Sequence, residues 1–204
     1  MQKSIQRKVK RGLDVAISLI SLLLLSPLFV LVVTLIKTTS DKSPAFYKWE
    51  VVGKDGKPFT SYKLRTMYDH ADERKSELRD RNEMKGPVFK MKNDPRITPI
   101  GKVLRKFSID EFPQLYSVLK ADMSLIGPRP PLQYEYEKFE EWQKRKLSVK
   151  PGMTCLREVG GKDKITNFDE WVKLDLEYID NWSLWLDIKI LVKTAIVILL
   201  GQNY

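Results

Sequence analysis

From Val15 to Ile36 the chain carries no charged side chain and is dominated by Leu, Ile and Val. A helix of roughly 20 such residues crosses the hydrocarbon core of a bilayer, so the rest of the fold must be arranged around a segment that water rejects. The run is too long for the apolar core of a signal peptide and has no convincing cleavage site. Ser26-Pro27 falls in its middle, where proline removes one backbone hydrogen bond and clashes with the preceding turn. Both flanks are basic, with Lys3, Arg7, Lys8, Lys10 and Arg11 before the run and Lys37, Lys42 and Lys48 after it. The positive-inside rule then gives no direction, as expected if both ends stay on the cytoplasmic side. Residues 1–37 therefore read as a basic N-terminus and a re-entrant helix-break-helix, with Ser26 satisfying backbone groups freed by Pro27. A kinked single-pass anchor is the alternative.

The remaining residues, 38–204, suffice for one domain of ordinary size, expected on the cytoplasmic face. The formal charge of +10 implies an anionic partner: nucleic acid, an anionic membrane surface or a phosphate-bearing substrate. The basic residues are scattered through membrane-like segments, which sets nucleic acid aside. A single cysteine, Cys155, excludes an intrachain disulfide, and a single histidine, His70, leaves no His-based metal site or triad. Chemistry must rest on carboxylates, Lys and Arg. No Gly-rich phosphate loop, CxxC or internal repeat is present.

Ala45–Val52 and Pro58–Met67 are β-prone runs joined across Lys54-Asp55-Gly56-Lys57, a hairpin signature. Lys63 and Arg65 share one face of the second strand, either a solvated face or a pair aimed at phosphate. Residues 69–85 are dense in charge and read as an exposed helix or loop without a catalytic role. Ile100–Phe107 and Phe112–Lys120 are short amphipathic helices, and Gln133–Leu147 and 169–182 are further helices. The class is α+β.

The richest stretch is Lys92 to Pro131. It sets the acidic pair Asp110-Glu111 between Arg105 and Arg129, with Pro113 suited to the first turn of a helix. Asp110 is thereby a candidate N-cap, its carboxylate ionised near the positive end of a helix dipole. Such a group serves as a nucleophile toward phosphate or as a Mg²⁺ ligand. Ser108-Ile-Asp-Glu111 also has capping-box spacing, in which case Glu111 only satisfies a backbone N–H. Gly127-Pro-Arg-Pro-Pro131 cannot be helix or central strand, and its prolines hold Arg129 at little entropic cost. At the C-terminus, residues 182–200 join Trp182 and Trp185 to lysines and an apolar tail, the pattern of an amphipathic interfacial helix or of a buried core helix.

These motifs, in this order, make the chain resemble the bacterial sugar transferases, the small monotopic phosphoglycosyl transferases acting on polyprenyl phosphate. The resemblance runs from about Lys10 to Tyr204 through Lys10-Arg-Gly-Leu-Asp14, Ser26-Pro27, Tyr62-Lys-Leu-Arg-Thr-Met67, Asp94-Pro-Arg96, Ser108-Ile-Asp-Glu-Phe-Pro-Gln-Leu115, Asp122-Met-Ser-Leu-Ile-Gly-Pro-Arg-Pro130 and Pro151-Gly-Met-Thr154. It ends in the run from Leu174 to Leu191. The chain looks like the compact form, without the upstream membrane helices of larger members.

The resemblance implies transfer of sugar-1-phosphate from a UDP-sugar to undecaprenyl phosphate at the cytoplasmic face of the bacterial inner membrane, with release of UMP. It implies Asp110 as the nucleophile, Mg²⁺ on the diphosphate with Asp110 near it, and Glu111 as an assisting group. Lys63, Arg105, Arg129, Lys162 and Asp187 fall at positions implied to serve phosphate or substrate, and Ser26-Pro27 at the re-entrant break. After Pro151-Gly-Met-Thr154 the family commonly reads Gly-Leu-Trp-Gln-Val-Ser/Asn-Gly-Arg. Here Cys155-Leu-Arg-Glu-Val-Gly-Gly-Lys162 stands instead, which bears on donor contacts. The sugar, the pathway and whether the protein forms a homo-oligomer are left open. A non-catalytic membrane-surface scaffold binding anionic lipid or an assembly partner is the competing reading.

Overall fold

The computed structural model describes residues 2–39, 44–161 and 165–201. Helix α1 (Gln2–Thr39) runs without interruption through Pro27, where the sequence suggested two helices separated by a break. Pro27 offers no N–H to the carbonyl of Leu23, four residues earlier. Ser26 Oγ donates to that carbonyl at 2.8 Å, so a neighbouring hydroxyl replaces the lost bond and the helix continues. The helix is long and apolar enough to cross a membrane.

Its middle is bare, with Leu23 and Leu24 each 74% exposed. Its ends are not. Val32 and Ile36 are buried with Ala45, Leu64 and Leu104. Near the start, Arg11 donates to the carbonyls of Val118 and Leu119 at 2.6 and 2.8 Å, and Asp14 accepts from Ser124 Oγ and Leu125 N. Both ends rest on the same body of protein.

Strands β1 (Phe46–Val52) and β2 (Pro58–Leu64) form the expected antiparallel hairpin, with Tyr47 opposite Lys63 and Val52 opposite Pro58. Its turn places Asp55 and Gly56 at positive φ, which an Asp-Gly pair tolerates. After α2 (Pro99–Lys106) and α3 (Gln114–Leu119), strand β3 (Ser124–Ile126) meets β4 (Gly152–Thr154) in a second, parallel pair. Two glycines permit this approach: a Cβ on Gly152 would lie 2.0 Å from Gly127 N.

Gln133–Leu147, read as one helix from sequence, is divided into α4 (Gln133–Tyr136), α5 (Glu141–Lys144) and a 3₁₀ turn. The chain breaks there because Phe139 is drawn inward onto Phe168, ring centroids 4.8 Å apart. Gln143 then caps the restart through Glu140 N. Helices α6 (Leu156–Val159), α7 (Phe168–Asp180) and α8 (Leu184–Leu199) complete the order. Helix α8 turns Asp187 and Ile190 inward, while Trp185, Ile188, Val192, Ile196 and Leu199 stay exposed. That 3-4-4-3 spacing is a single helix face, and it is the apolar one that faces out.

Candidate active site

The site grows from the contact between β2's exit and α2. Thr98 caps α2 by accepting from Gly101 N at 3.0 Å and donates its own N–H to Thr66 O. A Cβ on Gly101 would fall 2.1 Å from Thr66 O, so glycine alone lets the helix lie against this backbone. The helix then presents Arg105, whose Nε donates to Thr66 Oγ1 at 3.0 Å. Ser108 follows in the left-handed region at φ 51°, unusual for a residue with a side chain, and reverses the chain into a 3₁₀ turn, Ile109–Glu111.

Asp110 sits in that turn and is buried. It is not the N-cap of α3 that the sequence suggested; Pro113 takes that position without a side-chain cap. Nor do Ser108 and Glu111 form a capping box, since Ser108 makes no cap bond. Glu111 Oε1 instead accepts from Lys63 Nζ at 2.7 Å, and Lys63 Nζ lies 4.5 Å from the centroid of the Trp49 ring. The hairpin register explains this: Tyr47, Trp49 and Lys63 share one face of the β1–β2 pair.

These groups line a cavity of about 860 Å³, large enough for a nucleotide sugar. Asp110, Glu111, Lys63, Arg65, Arg105 and Arg129 all border it. Asp110 is only 6% exposed, but that sliver opens on the cavity. Burial raises its carboxyl above the usual range and the adjacent Glu111 adds to this, against the pull of Lys63 and Arg105. Burial thus opposes the ionised state that a helix dipole was expected to favour, while Lys63 and Arg105 support it.

Arg129 is held from both sides of its proline loop. Gly152 N donates to Pro128 O and Val52 N to Pro131 O, each at 2.9 Å. Crowding by the cavity wall alone would lower its pKa, but Glu111, Glu158 and Glu135 outweigh that and raise it. Its side chain retains solvent access, so the crowding is that of a cleft and the guanidinium is presented to the cavity.

Asp187 is elsewhere. It accepts from Lys10 Nζ at 2.7 Å, Tyr178 Oη at 2.8 Å and Trp182 Nε1 at 3.1 Å, and it does not border the cavity. Lys162 lies outside the described residues, and Ser26 and Pro27 are exposed in the middle of α1. Sequence reading passed over the aromatic wall of Tyr47 and Trp49, which strand register could have revealed. It also dismissed 69–85, yet Asp69, Asp72 and Lys75 border the cavity. Tyr47 Oη fastens this segment by donating to Asp72 at 2.9 Å. Cys155 is no nucleophile: burial pushes its thiol up to about 12.

Among the described residues no three His, Cys, Asp or Glu side chains cluster as a metal cage. The adjacent carboxylates Asp110 and Glu111 suit Mg²⁺ in another way. This ion is commonly held by one or two carboxylates together with substrate phosphates. In chemical terms the cavity sets the buried Asp110 carboxylate within the influence of Lys63 and Arg105, with Arg129 on the same lining, a setting for an anionic diphosphate.

Comparison with known proteins agrees with this setting. The sequence profile described as bacterial sugar transferase matches residues 5–201. The chain is 49% identical over 194 residues to the galactosyl transferase CpsE of Streptococcus agalactiae, covering 95% of this chain and 43% of that protein. It is 42% identical over 203 residues to the undecaprenyl-phosphate galactose phosphotransferase of Salmonella typhimurium, covering 98% and 42%. It is 35% identical over 193 residues to the UDP-glucose:undecaprenyl-phosphate glucose-1-phosphate transferase of Klebsiella pneumoniae, covering 91% and 39%. The chain spans less than half the length of each of these three relatives.

Proposed function

The chain belongs to the bacterial sugar transferase family, and from that premise we propose that it passes sugar-1-phosphate from a UDP-sugar to undecaprenyl phosphate, releasing UMP. The observation that carries the reading is Asp110, a buried carboxylate opening on a cavity bordered by Lys63, Arg105 and Arg129. Relatives are named for galactose and glucose, so a UDP-hexose is the proposed donor.

The reaction runs as two displacements at one phosphorus. An Asp110 carboxylate oxygen bonds to the sugar-linked phosphorus as the bond to the bridging oxygen breaks, and UMP leaves with the electron pair. A phosphate oxygen of undecaprenyl phosphate then bonds to the same phosphorus, and the acyl phosphate breaks to restore the carboxylate. Lys63, Arg105 and Arg129 hold the phosphate oxygens and stabilise the charge that moves onto UMP. Glu111 holds Lys63 in place through its 2.7 Å contact. Mg²⁺, held by Asp110 and the donor's diphosphate, would supply charge neutralisation and favour the ionised carboxylate.

Placement at a membrane is supported by the bare centre of α1 and the outward apolar face of α8. Both basic ends of α1 rest on one body, which favours a helix that dips into one leaflet at Ser26-Pro27 and returns, with the domain at the cytoplasmic face. The covalent route is tested by incubating the protein with a UDP-hexose and no lipid acceptor. A mass increase of one phosphosugar and a stoichiometric burst of UMP are expected, both lost in Asp110→Asn. UMP released only when acceptor is present would overturn the covalent step, and no UMP from any UDP-sugar would favour the scaffold.

A further inference from the structure

We propose that Trp49 is a positioning residue for phosphate binding: its ring face and the Glu111 carboxylate together hold the Lys63 ammonium at the donor's diphosphate. The proposal rests on the transferase reading. Lys63 Nζ lies 4.5 Å from the centroid of the Trp49 ring and 2.7 Å from Glu111 Oε1. Trp49 and Lys63 both border the cavity on which Asp110 opens. Strand register makes their meeting possible. Tyr47 stands directly opposite Lys63, and Trp49 opposite Ser61. Trp49 and Lys63 are therefore diagonal neighbours on one face, a spacing that long and aromatic side chains span. Tyr47 is engaged otherwise: its Oη donates to Asp72 at 2.9 Å, and Arg65 Cζ lies 6.0 Å from its ring centroid. Trp49 is the ring that the hairpin leaves for Lys63.

A lysine is a point charge on a flexible stem, and fixing it on a phosphate costs rotamer freedom. One contact with Glu111 leaves the ammonium free to swing about that carboxylate. The ring supplies a second point of attraction through its quadrupole, so the cation is already in place when the ligand arrives. Lys63 has three N–H donors and spends one on Glu111; among the described residues its ammonium makes no other hydrogen bond. Donors therefore remain for phosphate oxygens, on a side chain that keeps 17% exposure. The indole nitrogen points to the same role. Trp49 Nε1 is buried and, among the described residues, has no hydrogen-bond partner, which is unfavourable for a donor taken out of water. Phenylalanine would avoid that cost, but tryptophan has the ring that attracts a cation most strongly. What suits Trp49 to this position is its ring face, not its polar edge.

The test varies the electrons of the ring while keeping its shape. Mono-, di- and tetrafluorotryptophan are placed at position 49 of the full chain in nanodiscs, alongside Trp49→Leu. Fluorine drains the ring face of the charge that attracts a cation. Each protein is also made with Lys63→Met. UDP affinity is measured by calorimetry, and UMP release from a UDP-hexose is followed in the same preparations. Expected is a stepwise loss of UDP affinity along the fluorine series at an unchanged unfolding temperature, reaching about fivefold in Trp49→Leu. With Lys63→Met, which keeps Arg105 and Arg129, UDP binding is weaker and the series is flat. Equal UDP affinity across the fluorine series would overturn the proposal. So would a series that persists with Lys63→Met, since Trp49 would then act on the ligand without Lys63. A graded UDP series in a protein that releases no UMP from any UDP-hexose would leave the placement of Lys63 standing and defeat the transferase reading.

Discussion

Lys10 Nζ lies 2.7 Å from Asp187 Oδ2 across 177 residues of sequence, joining the basic foot of α1 to the first turn of α8. The same ammonium donates to Ile126 O at 3.1 Å, and Tyr178 Oη, bonded to Asp187, reaches that carbonyl at 3.2 Å. Ile126 closes β3, immediately before the loop that carries Arg129. The two apolar helices are thereby tied to the strand that positions a cavity arginine, and Asp187 acts as a buried knot rather than a substrate contact.

Asp187→Asn should therefore destabilise the protein, because it leaves Lys10 without its counter-charge. Breaking one partner of a buried pair costs about 3–5 kcal/mol. Lys10 keeps 17% side-chain exposure and can turn toward water, so about 2 kcal/mol is expected. A double-mutant cycle with Lys10→Met, read by thermal unfolding in detergent, should return a coupling above roughly 1 kcal/mol. Additive effects would show that the two groups do not act together.

Asp110→Asn should abolish phosphosugar transfer while leaving the fold intact. Folded Asp110 keeps its proton to higher pH than the unfolded chain does, chiefly because it is buried. Between those two pKa values the folded state binds more protons, so stability falls as pH rises. Asparagine removes that decline. The difference in unfolding temperature, variant minus wild type, should therefore grow as pH rises above the ordinary aspartate value of about 3.9. A difference that shrinks over that range would mean that this carboxylate is stabilised by its cations more than it is penalised by burial.

The same shift governs activity. Only the ionised carboxylate attacks phosphorus, so kcat/KM should climb with pH along a limb lying above the ordinary aspartate value of about 3.9. Lys63→Met removes a charge that lowers the Asp110 pKa, and should move the limb to still higher pH as well as reduce the plateau. A limb that stays in place would separate Lys63 from the ionisation of Asp110.

Gly152→Ala should damage the site from beneath. The added methyl would stand 2.0 Å from Gly127 N and 2.6 Å from Gly127 O, backbone atoms that cannot swing aside. Overpacking of this kind costs about 1–3 kcal/mol, and the strand must part from β3, releasing the Gly152 N to Pro128 O bond. Lower thermal stability together with a raised KM for the UDP-sugar is expected, since Arg129 loses its clamp.

What the sequence made legible was whatever depends on local chemistry. The Asp-Gly turn of the hairpin, the amphipathic α2 and the proline-fixed loop of Arg129 follow from residues close in the chain. So does the proximity of Asp110 to Arg105, five residues apart. Its placing at an N-cap failed because Ser108 turns left-handed and inserts a 3₁₀ turn ahead of Pro113, a reversal that propensity does not reveal. The part played by Asp187 was hidden for another reason. A carboxylate reads the same in sequence whether its partner is a substrate or a lysine 177 residues away, and only the folded contact between the foot of α1 and the first turn of α8 distinguishes them. The wall formed by 69–75 was missed because charged, exposed residues give no hydrophobic period; Tyr47 and Arg96 fasten it from outside the segment.

Helix α8 offers a last test, of how the domain meets lipid. Trp185, Ile188, Val192, Ile196 and Leu199 form an exposed apolar face, while Lys189 and Lys193 remain exposed beside them. In water such a face is unfavourable by about 25 cal/mol for each Å² of apolar surface, and a lipid boundary removes that cost while lysines reach toward headgroups. Cys155 is buried with its thiol pushed up to about 12, so spin labels attached at Val192→Cys or Ile196→Cys report cleanly. In lipid nanodiscs these labels should be more accessible to oxygen than to a water-soluble nickel chelate, and a label at Lys189→Cys should show the reverse. Equal exposure of all three to the chelate would place α8 in water and leave α1 as the sole contact with the bilayer.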